Sequence, residues 1–176
     1  MIENIHAREY AVDAERLGRF LDALGSPADR LWPSHRWPAM RFDGPLRPGA
    51  QGGHGPIRYT VEALDPGRSV RFRFTGPAGL VGWHGFDVAS AGAGRSTLRH
   101  TVRAELRGAM RLSWPLVFRW LHDAVAEDAL DCVARALGQD LPQRPHSLAV
   151  RLLRRLKQKN RAIDYWKIAP TMADLA

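Results

Sequence analysis

The sequence predicts an α+β domain in which a curved antiparallel β-sheet wraps around a long C-terminal α-helix. Three observations carry this. Residues 57–75 and 84–106 each read as a pair of segments with period-two alternation, the pattern of a sheet with one covered and one wet face. From Ser113 to Leu137 the period changes to that of a helix. A long helix with an apolar stripe has to cover the apolar face of a sheet.

The elements follow in order. Ile5 to Val12 reads as a strand, and Asp13 is placed to cap a helix in which Leu17, Phe20, Leu21 and Leu24 share a face. Gly25 is placed to end that helix, with Pro27 just beyond, and Ser26 can cap a second short helix from Pro27 to Trp32. Residues 33–56 are dense in Pro and Gly, and only Ala39 to Phe42 reads as extended. Glycines 49, 52, 53 and 55 follow no strand–turn–helix context, which argues against a phosphate loop; with Trp32 and Trp37 they predict a mobile lid.

Ile57, Tyr59, Val61 and Ala63 alternate with polar residues, Asp65-Pro66-Gly67-Arg68 is a turn, and Val70, Phe72 and Phe74 alternate in the return strand. In the second hairpin His84, Phe86 and Val88 share a face, Ser90 to Arg95 make the loop, and Leu98, His100, Val102, Ala104 and Leu106 share a face of the partner. In the long helix Ser113 is the natural cap and Pro115 falls in the first turn. Trp114, Phe118, Leu121, Val125, Ala129, Cys132 and Ala136 form a stripe, Asp123, Glu127 and Asp131 an acidic face, and Gly138 closes the helix. The small residues Ala129 and Cys132 predict a space between helix and sheet.

This element order, over about residues 3–138, resembles the START/Bet v 1-like (SRPBCC) superfamily of helix-grip proteins, which includes polyketide cyclases, aromatases and lipid carriers. The segment Trp120-Leu-His-Asp-Ala-Val-Ala-Glu-Asp-Ala-Leu-Asp131 is similar to the last helix of uncharacterised actinobacterial members. The resemblance implies a helix-grip fold and a cavity for a small hydrophobic molecule. It implies no particular reaction, because members share a cavity more than a chemistry.

The bulk composition narrows the classes. No apolar run approaches the roughly 20 residues that span a bilayer, and the start Met1-Ile2-Glu3-Asn4 lacks a signal peptide's basic and apolar stretches; a cytoplasmic location is expected. Cys132 is the only cysteine, which excludes an intramolecular disulfide, and its neighbours Leu130, Val133 and Ala134 point to packing rather than a reactive thiol. The net charge of +8 is uneven: residues 1–140 hold 18 Lys/Arg against 16 Asp/Glu, and residues 141–176 hold 8 against 2. The chain therefore divides into a helix-grip ligand-binding domain, 1–140, and a basic amphipathic C-terminal extension, 141–176.

His84 and His100 are the candidate catalytic residues, because both fall on apolar faces of adjacent strands, where a histidine can act as acid or base or bond a ligand carbonyl. Tyr59, Phe72, Phe74, Phe86, Trp114 and Phe118 are the candidate ligand-binding residues. No metal or other cofactor is expected, since the seven histidines include no i, i+4 pair. In the extension, Leu148, Leu152 and Leu156 recur every four residues opposite Arg151, Arg154 and Arg155, with Ser147 as cap. Such a helix can lie on an anionic membrane surface or meet the phosphates of a nucleic acid. The preferred reading docks its leucines on protein, either the domain or a second copy in a homodimer, which makes nucleic acid a poor candidate partner. The readings that follow are binding or transport of a lipid or polyketide-like molecule, a metal-free polyketide cyclase, aromatase or dehydratase acting in the same cavity, and a peripheral membrane protein.

Overall fold

The computed structural model describes residues 1–140, 145–148 and 150–153. These form two compact units that divide between residues 144 and 145, each described by itself.

In the first unit, strands β1 (Ile2–Tyr10), β2 (Arg41–Phe42), β3 (Gln51–His54), β4 (Ile57–Asp65), β5 (Ser69–Gly76), β6 (Leu80–Ser90) and β7 (Ser96–Leu106) form one curved antiparallel sheet. Its order is β1-β7-β6-β5-β4-β3-β2. Helix α1 (Ala14–Asp22) follows β1. A helical rod then runs from Met110 to Ala136 as α2 (Met110–Ser113), a π segment (Trp114–Phe118) and α3 (Arg119–Ala136). The sheet grips this rod, as the sequence predicts.

The covered face is built by strand parity. Leu98, His100, Val102 and Ala104 of β7, His84 and Phe86 of β6, Val70 and Phe72 of β5, and Tyr59 and Val61 of β4 are all buried. From the rod, Trp114, Leu121, Val125, Ala129 and Val133 close over them. The Asp65–Arg68 turn forms as expected: Arg68 N–H donates to Asp65 O at 2.9 Å, and Gly67 supplies φ +70° at the position that needs it. Asp13 caps α1 by accepting from Arg16 N–H at 2.7 Å.

Several expectations are corrected. The strand in which Ile57, Tyr59, Val61 and Ala63 are expected to share a face carries bulges, and the shift between Val61 and Ala63 turns Ala63 outward and Leu64 inward. The segment 27–32 is a chain of turns, not a helix, because the Asp29 carboxylate accepts from the N–H groups of Gly25, Leu31 and Trp32. The expected lid is largely sheet: Gly52 and Gly53 lie in β3, paired with β4. Nor is the tryptophan segment loose, since Trp37 Nε1 donates to Asp128 Oδ2 of α3 at 2.6 Å and Arg36 pairs with the same carboxylate at 3.0 Å.

The long helix does not begin at Ser113. Pro115 has no N–H and disfavours regular turns before it, and the chain widens instead, with Arg119 N–H reaching back five residues to Trp114 O. Trp120 Nε1 donates to Pro115 O at 3.0 Å. Cys132 is half-buried on the flank, within reach of Arg135, rather than in the stripe.

In the second unit, Ser147 caps the helical residues as expected: its Oγ accepts from Val150 N–H at 3.3 Å. Arg151 is exposed; Arg154, Arg155 and Leu156 lie outside the described residues. Among the described residues no helix is long and apolar enough to cross a membrane.

Gly18 gives a sharp test of packing against propensity. In a helix interior Ala normally gains about 1 kcal/mol over Gly. A Cβ on Gly18 would stand 2.1 Å from Gly67 O, so Gly18→Ala is expected to destabilise the domain by roughly 1–3 kcal/mol. Chemical denaturation reads the sign; a gain in stability would show that α1 does not seat on this turn.

Candidate functional site

The covered face of the sheet is not uniformly apolar. His84 and His100, 3% and 4% exposed, lie where parity put them. His100 pairs across the strands with Phe86, and His84 is its diagonal neighbour. Their rings meet through His84 Nδ1 and His100 Nε2, 3.4 Å apart. His122 reaches this pair from α3, its ring centroid 5.0 Å from that of His100. His6 of β1 follows at 5.9 Å from His122. At the other end His54 of β3 stands edge-on to His84 at 6.2 Å, and its Nδ1 is 3.2 Å from the Tyr59 hydroxyl. Five histidines thus form a row beneath the rod.

The His6 end of the row is chemically unlike the middle. In the middle, burial pushes His84, His100 and His122 below the usual imidazole range, and neighbouring histidines add to the effect for each. These three rings are neutral at pH 7. Four of their nitrogens, His84 Nε2, His100 Nδ1 and both nitrogens of His122, are buried without a hydrogen-bond partner. Burial would also lower His6, but Asp123 and Glu127 override it: Nε2 is 3.2 Å from Asp123 Oδ1 and Nδ1 is 2.8 Å from Glu127 Oε1. His6 is therefore raised to about 9 and carries charge.

His6 belongs to a polar ladder between β1 and α3. Asn4 Nδ2 donates to Asp123 Oδ1 at 2.8 Å, Arg8 binds Glu127 at 2.9 Å and also Asp131, and the Tyr10 hydroxyl donates to Leu130 O at 2.8 Å. The spacing explains the match. Alternate residues of a strand repeat about every 6.7 Å, and every fourth residue of a helix about every 6.0 Å.

The aromatic residues expected at the site surround the row. Tyr59, Phe72 and Phe74 lie 4.8, 5.0 and 4.9 Å from His84, centroid to centroid. Phe86 lies 4.5 Å from His100, and Trp114 5.9 Å from His122. Phe74 and Phe118 are half-buried and pack on the cluster of Leu80, Val102, Ala104, Met110 and Trp114. Clefts open on the surface of the described residues. One of about 530 Å³ is lined by Met1, Ile2, Glu105, Leu106 and Arg111; another of about 420 Å³ includes Trp32, His35 and Cys132. Neither is lined by the histidine pair or its aromatic neighbours, so neither is the cavity expected beneath the helix.

Sequence reasoning found His84 and His100 but missed His6, His54 and His122. Asn4, His6 and Arg8 alternate with exposed residues along β1, and Asp123, Glu127 and Asp131 had already been set on one helix face. Polar alternation opposite an i, i+4 acidic stripe was the available signal. The metal-free reading also overlooked that His6, His122 and Asp123 offer ligand atoms all within 4.8 Å of one another.

No protein-family model and no curated protein matches the sequence. Solved structures do. A protein from Thermobifida fusca matches with 16% identity over 84% of this chain and 100% of its own, TM-score 0.60. Norcoclaurine synthase from Thalictrum flavum matches with 13% identity over 75% and 86%, TM-score 0.57. An HSP90 activator from Plasmodium falciparum matches with 12% identity over 80% and 99%, TM-score 0.58. At such identities the likeness shows the fold, and a synthase and a chaperone activator on one frame show how little more it shows.

The unlike protonation of the row sets an expected pH profile of stability. A folded-state value above the unfolded one means that His6 contributes fully below about 6.5, and that this contribution is lost as pH rises to about 9. The three depressed histidines act oppositely: their contribution is lost as pH falls below the unfolded value near 6.5, by up to about 1.4 kcal/mol per pH unit each. Unfolding free energy in metal-free buffer is thus expected to decline on both sides of pH 6.5. His6→Phe should flatten the alkaline limb only, and an unchanged alkaline limb would refute the cationic assignment.

Proposed function

We propose that the chain binds a small, mostly apolar molecule between the sheet and the helical rod and holds a carbonyl or hydroxyl of it with the histidine row. The observation that carries this is the set of four unpartnered ring nitrogens on His84, His100 and His122, buried in an otherwise apolar face. Leaving a buried polar atom unpaired costs about 1–3 kcal/mol, and a ligand oxygen or hydroxyl would recover part of it. Neutral imidazole presents one donor and one acceptor, so the row suits a molecule with few polar atoms among hydrocarbon, lipid or polyketide-like.

The rings of the row are in contact with their neighbours, so a ligand has to displace some of them. Phe74 and Phe118 are the movable candidates, being half-buried where the π segment interrupts the rod. The cleft lined by Ile2 and Leu106 adjoins them, because both of those residues pack on the same cluster. Access through that rim is the route this reading favours.

The enzymatic alternative is a cyclase or dehydratase step with His84 or His100 as acid or base. Their depressed basicity disfavours the acid role and leaves a base role open to them. A general acid has to carry its proton near neutral pH, and burial keeps both rings neutral.

Binding can be read directly. Native mass spectrometry of the full-length protein from its own host should reveal an adduct of a few hundred daltons. His100→Phe removes the unpartnered Nδ1 but also takes the partner from His84 Nδ1, so it is expected to reduce that adduct while changing the stability of the ligand-free protein by no more than about 1 kcal/mol in either direction. A wild-type protein that carries no adduct, or a variant that carries it undiminished, would reject the proposal.

A further inference from the structure

We propose that His6, His122 and Asp123 bind a divalent transition-metal ion of the zinc class. The site shares His6 and His122 with the histidine row, but its test reads metal uptake and the other reads a small-molecule adduct, so either can fail without the other. Its ligands come from two elements, His6 from β1 and His122 with Asp123 from the first turns of α3. Asp123 Oδ1 is 3.2 Å from His6 Nε2 and 3.8 Å from His122 Nδ1. Two ligand atoms on a tetrahedral ion with bonds of about 2.0–2.1 Å stand roughly 3.3 Å apart, so small ring rotations, with release of the His6 Nε2 proton to solvent, bring the three atoms onto one ion. Two imidazoles and a carboxylate suit zinc, iron, nickel or copper and do not suit magnesium or calcium.

The surroundings are those of a ligand set held in place. His6 Nδ1 meets Glu127 Oε1 at 2.8 Å, which directs Nε2 at the cluster. Glu127 is held in turn by Arg8 at 2.9 Å, and Asn4 Nδ2 donates to Asp123 Oδ1 at 2.8 Å. A carboxylate behind a histidine is the usual outer support of a metal-bound imidazole. An independent observation points the same way. Both nitrogens of His122 are buried without a hydrogen bond, and so is Oδ1 of Asn4, whose Nδ2 bonds Asp123. The side chains of His6, His122 and Asp123 are 14%, 16% and 30% exposed, so the cluster lies near the surface, and a turn of the His122 ring would bring its buried nitrogens to an entering ion. Three protein ligands leave a fourth position open.

The test uses tag-free, full-length protein stripped with chelator. Titration calorimetry with Zn²⁺ should give one ion per chain, and Co²⁺ should give the visible absorption of a four- or five-coordinate site. His122→Ala and Asp123→Asn are expected to lose at least tenfold in affinity, and Glu127→Gln 10- to 100-fold; His35→Ala, on a distant loop, should not change it. Zinc-edge X-ray absorption on the wild type is independent of any variant's folding and should show two imidazoles and no sulfur. No stoichiometric uptake, unchanged affinity in His122→Ala, or a shell without imidazole would each overturn the proposal.

Discussion

The ladder between β1 and α3 is the constraint on which the rest of the site depends. An apolar stripe alone fixes a helix on a sheet loosely, because hydrophobic burial is non-directional. Asn4, His6 and Arg8 reaching Asp123, Glu127 and Asp131 fix both the rotation and the axial position of α3. Partly buried ion pairs of this kind add little net stability over apolar packing, but breaking one partner is costly. Their effect here is to choose one seating of the helix, and that seating is what turns His122 toward His100.

The choice has an electrostatic consequence. The carboxylates of α3 hold His6 charged, while His84, His100 and His122, farther under the rod, are left neutral by burial. One end of the row is therefore ionic and partly wet, and its middle is neutral and dry. A neutral imidazole is a hydrogen-bonding or metal-ligating group more than a proton donor.

The other side of the rod is fixed differently. Trp37 and Arg36 clamp Asp128, and Asp29 folds the preceding chain into turns, so the Pro- and Gly-rich stretch becomes a strap that continues into β2 and β3. Between strap and ladder the rod is held along α3. Its weaker part is the π segment, where Pro115 interrupts the regular hydrogen bonds and Phe118 is only half-buried.

The sequence by itself determined the two hairpins, the capped first helix, the helical rod and the inward parity of His84 and His100. All of these follow from spacings of two to four residues, which a strand or a helix imposes wherever it sits. It misread the bulge that turns Ala63 outward, the start of the rod, and the glycine-rich strand β3, where a local rule lost to pairing or to proline. Only the tertiary structure decided that His6 meets His122 and that His6 meets Asp123, 117 residues away. That meeting depends on β1 pairing with β7 in the register that sets His6 opposite His100, and on the rotation of α3. Neither is encoded in any local period; both arise when the chain closes on itself and its polar groups must find partners across the core.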